Sequence, residues 1–123
     1  MAGVIHIQWY ATVFRGDALA DGIVDMAAPV AMRYGATRYT VQRSQDDAYR
    51  ILQAIWFDSH DDWYRYWEGP EMIEFRARHA TKYQIPISYV WHEEIAADEA
   101  PVAPVRLRDS AGSTPDPEPQ TAA

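Results

Sequence analysis

An α+β domain with the element order β-α-β-β-α-β is predicted by three features of this 123-residue chain. Two-residue alternation marks its beginning, its middle and the region before its tail; helical periodicity lies between; and a capped aromatic helix, broken by Gly-Pro and restarted, occupies residues 56–79, WFDSHDDWYRYWEGPEMIEFRARH. The length suits one domain with a real core rather than two.

Residues 4–14 alternate, with Ile5, Ile7, Trp9, Ala11 and Val13 on one side and His6, Gln8, Tyr10, Thr12 and Phe14 on the other, which predicts a strand. Gly16-Asp17 supplies a turn and an N-cap, after which Leu19, Ile23, Met26 and Val30 recur at helical spacing. Pro29 is expected to kink that helix or mark its last turn, and Gly35 to stop it. Residues 36–44 and 49–57 read as two strands joined by the polar loop Gln45-Asp46-Asp47, so they should pair antiparallel. Ser59 with Asp62 forms a capping-box pattern, and Trp63, Tyr66 and Trp67 behind it share one helix face. Gly69-Pro70 interrupts this helix and starts a second piece ending near Tyr83. Residues 85–95, IPISYVWHEEI, form the last strand.

That order is the ferredoxin-like split βαβ, a four-stranded antiparallel sheet with two helices on one face. The other face stands bare, yet the first and last strands carry Trp9, Tyr10, Tyr89, Val90 and Trp91. A buried aromatic hides roughly 150–250 Å², and several on an open sheet exceed what a soluble monomer tolerates. A homodimer paired through its sheet faces, a dimeric α/β barrel, is therefore expected. The domain is assigned to residues 1–96. Residues 97–123 are rich in Ala, Pro and acids and lack aromatic rings, the composition of a solvated, disordered extension. VAPVRLR, residues 102–108, is its only moderately apolar part and could dock on a protein partner.

The formal charge of −7 opposes nucleic-acid binding, which needs clustered Lys and Arg. With no cysteine there is neither a disulfide framework nor a thiolate chemistry, which fits a cytoplasmic protein. The first residues lack a signal-peptide pattern and no apolar run is long enough to cross a bilayer, so no membrane association is expected.

On AIWFDSHDDWYRYWEGPEMIEFRARH, residues 54–79, the chain resembles the dimeric α/β-barrel superfamily, particularly the antibiotic-biosynthesis-monooxygenase-like domains, over residues 4–95. That family includes cofactor-independent oxygenases of aromatic polyketides and heme-degrading oxygenases. The heme-degrading branch builds its site from an asparagine in the first strand, a tryptophan before Gly-Pro and an iron-ligating histidine one or two turns later. By this resemblance Trp67 matches the tryptophan and Gln8 falls at the asparagine. Phe75 falls at the histidine, where its ring cannot ligate iron, and His79 at i+4 is the nearest substitute. Heme degradation is thereby disfavoured and no cofactor is expected.

Two readings of the aromatic helix stay open. Trp63, Trp67 and Phe75 can line a pocket for a flat hydrophobic molecule, with His6, Gln8 and Tyr10 supplying polar groups if their strand face looks toward the helices; or the rings are ordinary core and the polar face is a hydrated dimer seam. His79 is the candidate catalytic base, against its reading as a surface histidine beside Arg76 and Arg78. No metal site is expected at His60-Asp61-Asp62 or His92-Glu93-Glu94, because adjacent residues point in different directions. The functional expectation is a small-molecule-binding barrel, as a cofactor-independent monooxygenase; the alternative is a non-enzymatic assembly module whose tail recruits a partner.

Overall fold

The computed structural model describes residues 2–101. Strand β1 (Gly3–Tyr10) is followed by helix α1 (Gly16–Gly22), a π-turn over Ile23–Ala27, helix α2 (Ala28–Ala31) and a 3-10 turn over Met32–Tyr34. The chain continues through β2 (Ala36–Arg43), β3 (Arg50–Phe57), α3 (His60–Trp67), α4 (Pro70–Arg78) and β4 (Ser88–Glu93). The sheet order is β2-β3-β1-β4 with every neighbouring pair antiparallel. This is the ferredoxin-like architecture predicted from the alternation and the helical periods.

Local chemistry accounts for the joints. Ala11 makes only an isolated bridge to Tyr83, and the chain then turns with Phe14 in the left-handed region, so the first strand is shorter than its alternation suggested. Gly16 opens α1, and the residue before it is Arg15 rather than the expected Asp17 cap. Pro29 lacks the N–H that would pair with Asp25 and its ring crowds that carbonyl. The helix answers by widening just upstream: the Ala28 N–H reaches back to the Ile23 carbonyl, a five-residue closure. Gly35 ends the segment at φ 96°, a conformation that glycine adopts without a Cβ clash. The Ser59 side chain accepts from the Asp62 N–H as expected, while the Asp62 carboxylate pairs with Arg65. Pro70 sits in the first turn of α4.

Register and alternation divide the sheet into two faces. Ile5, Ile7 and Trp9 of β1 lie level with Ile55, Gln53 and Ile51 of β3 and, with Phe57, pack under the helices. On the opposite face His6 stands between Ala54 and Val90, and Gln8 between Leu52 and Ser88. Tyr10, Trp56, Thr40 and Gln42 share that open face by the same alternation. Of the bulky groups expected on the bare side, Trp9, Tyr89 and Trp91 turn inward by register, leaving Tyr10 and Val90. From Glu94 to Pro101 the chain is irregular, and residues 102–108, expected to be the apolar part of the tail, lie outside the described residues. No helix among the described residues is long and apolar enough to cross a membrane.

Candidate functional site

The space between α3 and the sheet is filled with rings. Trp63 and Trp67 stack with centroids 5.1 Å apart, and Tyr89 lies 5.4 Å from each. Trp9 meets Trp67, Phe75 and Tyr83 at 6.0, 5.8 and 5.3 Å. Trp67 is only 4% exposed, and the Arg76 guanidinium lies 4.1 Å above its ring while donating to its carbonyl. The three-residue and four-residue spacing of Trp63, Tyr66 and Trp67 thus resolves into core, because the Gly69-Pro70 break lets α4 fold back and place Phe75 against Trp9 instead of opening a cleft.

One polar thread crosses this core. Trp9 Nε1 donates to Gln53 Oε1 at 3.0 Å, Gln53 Nε2 donates to the Tyr66 hydroxyl at 3.0 Å, and that hydroxyl donates to the Ala27 carbonyl at the end of the π-turn. Gln53 is fully buried, and every link satisfies a group that would otherwise be stranded. Burial pushes the Tyr66 hydroxyl well above the ordinary phenol range, so it stays a neutral donor. Gln53 escaped the sequence reading, although the signal was present: in RILQAIWF it falls in phase with Ile51 and Ile55, an amide on an inward face.

The predicted site residues separate into three places. Trp63, Trp67 and Phe75 come together under the helices. His6, Gln8 and Tyr10 lie across the sheet from them, so the condition that would have joined the two sets is not met, because the more apolar set Ile5, Ile7 and Trp9 takes the inward phase of β1. His79 stands apart from both, at the end of α4. Its ring stacks on Phe75 at 4.2 Å, Nδ1 is 3.0 Å from the Phe75 carbonyl, and Nε2 faces Gly22 of α1. Those contacts describe a helix-end seal rather than a base aimed into a pocket.

The open face gathers the remaining polar chemistry. The rings of His6 and His92 are 4.4 Å apart, and burial followed by the neighbouring His92 charge lowers the pKa of His6, which favours the neutral, proton-accepting imidazole. Gln8 Oε1 is buried without a hydrogen-bond donor among the described residues. Beside it a depression of about 310 Å³ is lined by Gln8, Gln42, Arg43, Ser44, Arg50 and Leu52. Arg50 covers Tyr10 at 5.4 Å and Arg38 covers Trp56 at 4.5 Å. Among the described residues no group of three or more His, Asp or Glu side chains converges on a metal position.

Neither a family model nor a curated protein sequence matches the chain. Solved structures do. A provisionally assigned antibiotic biosynthesis monooxygenase from Nitrosomonas europaea superposes with a TM-score of 0.69 at 17% identity, over 76% of this chain and 90% of that one. The chain has the ferredoxin-like fold of antibiotic-biosynthesis-monooxygenase-like proteins. A second Nitrosomonas europaea protein, of unknown function, matches at TM-score 0.68 and 19% identity, over 82% and 97% of the two chains. A substituted form of SnoaB, a cofactor-independent oxygenase from Streptomyces nogalater, matches at TM-score 0.65 and 12% identity, over 78% and 95%. At these identities the likeness speaks for the fold, and the chemistry must be argued from this chain's own residues.

Proposed function

We propose that this protein is a homodimer closed through its open sheet faces, and that the enclosed face binds a flat hydrophobic molecule and oxygenates it without a cofactor. The observation that carries this reading is the Gln8 amide oxygen, on a strand position between Leu52 and Ser88, buried with no hydrogen-bond donor among the described residues. A buried acceptor left unpaired costs about 1–3 kcal/mol. A ligand hydroxyl would supply the missing donor, while Leu52 and Val90 offer the apolar contact usual in small-molecule sites. The lowered pKa of His6 suits a base one strand position pair away on the same face.

Such a site fits a substrate whose methylene is acidified by flanking aromatic or carbonyl groups. His6 takes a proton from carbon, and the carbanion reduces oxygen and combines with it as a carbon-bound peroxide. The proton returns to the peroxide, and loss of water leaves a carbonyl. One oxygen atom enters the product and the other departs in water, so the substrate itself is the reductant. Gln8 and Tyr10 hold the substrate oxygens, and exclusion of water by the second sheet strengthens those contacts.

A second reading, a non-enzymatic dimerisation scaffold, draws on the filled helix side, where no cleft separates Trp63 and Trp67 from the sheet. Oxygen uptake with anthrone-type phenolic substrates distinguishes the two. Turnover by the parent that falls at least tenfold in both His6→Ala and Gln8→Ala, with the dimer intact, is the expected result. No uptake by the parent, together with no small molecule extracted from the natively purified protein, leaves the scaffold.

A further inference from the structure

A groove remains on the helix side that neither the core nor the proposed site uses. Tyr34, Tyr64, Arg65, Glu68, Gly69 and Pro70 line a shallow trough of about 600 Å³, mostly apolar in its surface. Its walls are held. The Tyr34 hydroxyl donates to Glu71 Oε1 at 2.5 Å, and Gly69 approaches that ring so closely that an added Cβ would lie 2.5 Å from the hydroxyl. Tyr64 is half-exposed on the other side. Arg65 is already paired with Asp62, whereas Glu68 has no ion-pair partner among the described residues. Two tyrosines, a proline and an unpaired carboxylate make up a surface suited to an extended proline-containing segment with a nearby cation.

The chain carries such a segment. Ala100 to Arg108 reads APVAPVRLR, with prolines spaced three apart at Pro101 and Pro104 and with Arg106 and Arg108 behind them. We propose that residues 102–108 dock in cis on the Tyr34–Tyr64 groove, Pro104 against the rings and Arg106 against Glu68. Position supports this occupant. Asp98 and Glu99 line a cavity with Thr37 and Arg38, so the chain passes the start of β2 just before the last described residue. Tyr34 is three residues ahead of Thr37, a separation of at most about 11 Å. The nine residue steps from Glu99 to Arg108 would span about 28 Å if extended as polyproline, more than enough to round the edge of β2. A distinct partner of the same chemistry lacks this advantage of tethering, which raises the local concentration of a weakly binding segment to roughly the millimolar range.

The absence of cysteine makes the test direct. A nitroxide attached at Leu107→Cys in the otherwise unaltered full chain should broaden the amide signals of Tyr64, Arg65, Glu68 and Gly69. Arg106→Glu should restore much of that intensity, and adding Glu68→Arg should broaden the signals again. No broadening at these amides, or broadening indifferent to the charge exchange, overturns the docking. Mixing isotope-labelled, spin-free chain with unlabelled, spin-labelled chain decides the geometry. Silence in the mixture supports docking in cis, whereas equal broadening there assigns the groove to the tail of a second copy and overturns the cis proposal.

Discussion

Trp67 concentrates the difference between core and pocket. Its ring is stacked on Trp63, faced by Trp9 and Tyr89 and covered by Arg76, with 4% of its surface left to solvent. Trp67→Ala should therefore cost about 3–5 kcal/mol, measured by urea unfolding; a loss under about 1 kcal/mol would mean that the site collapses or was already open. Tyr66→Phe removes one hydroxyl but strands the Ala27 carbonyl and a Gln53 N–H, so about 1–3 kcal/mol is expected. His6 gives a pH signature. Its folded pKa lies below the ordinary 6.5, so between the lowered value and 6.5 the unfolded chain binds more protons than the native one. Stability contributed by neutral His6 is present above 6.5 and lost as pH falls through that window. Melting temperatures of His6→Ala should decline less steeply than the parent's from pH 7 toward pH 5, and parallel curves would show that the group does not resist protonation.

Between elements, the seam of α1 against α4 is set by the smallest side chain available. Gly22 is helical, with φ −63°, so nothing about its backbone demands glycine. What demands it is His79, whose Nε2 would stand 2.7 Å from a Cβ at position 22. Gly22→Ala should destabilise the parent by about 1–3 kcal/mol through overpacking. In a His79→Ala background the same change should instead stabilise by about 0.5–1 kcal/mol, the ordinary gain of alanine over glycine inside a helix. A double-mutant cycle by chemical denaturation reads the sign reversal. Additive effects would place the His79 ring elsewhere in solution and reopen its candidacy as a base.

At the scale of the molecule, helices cover one face of the four-stranded sheet and leave the other open. The open face mixes Leu52, Val90, Tyr10 and Trp56 with His6, Gln8, Thr40 and Gln42, an apolar centre set among polar groups. Light scattering at micromolar concentration should return about twice the 14.1 kDa chain mass. Val90→Lys, which places a charge at a position already 53% exposed in the single chain, should shift that mass toward the monomer while leaving the helical circular dichroism unchanged. A parent that stays monomeric on concentration would remove the dimer from the proposed function, since His6 and the depression beside Gln8 would then lie open to water.

What local chemistry controls was legible from the residues alone. Alternation places Ile5, Ile7 and Trp9 together, Ser59 caps a helix wherever its hydroxyl can reach the Asp62 N–H, and Gly35 and Pro70 act through their own backbones; each effect needs only neighbours in sequence. Even Gln53 could have been found by the phase of its strand. The tertiary structure alone decided which face of the sheet the helices cover, and so placed His6, Gln8 and Tyr10 apart from Trp63, Trp67 and Phe75. It also decided that the aromatic stripe is packed rather than open, and that His79 spends its ring on Phe75 and Gly22. The physical reason is common to all three. Periodicity tells which side chains share a face, but what lies opposite that face depends on register, crossover and packing between segments distant in the chain.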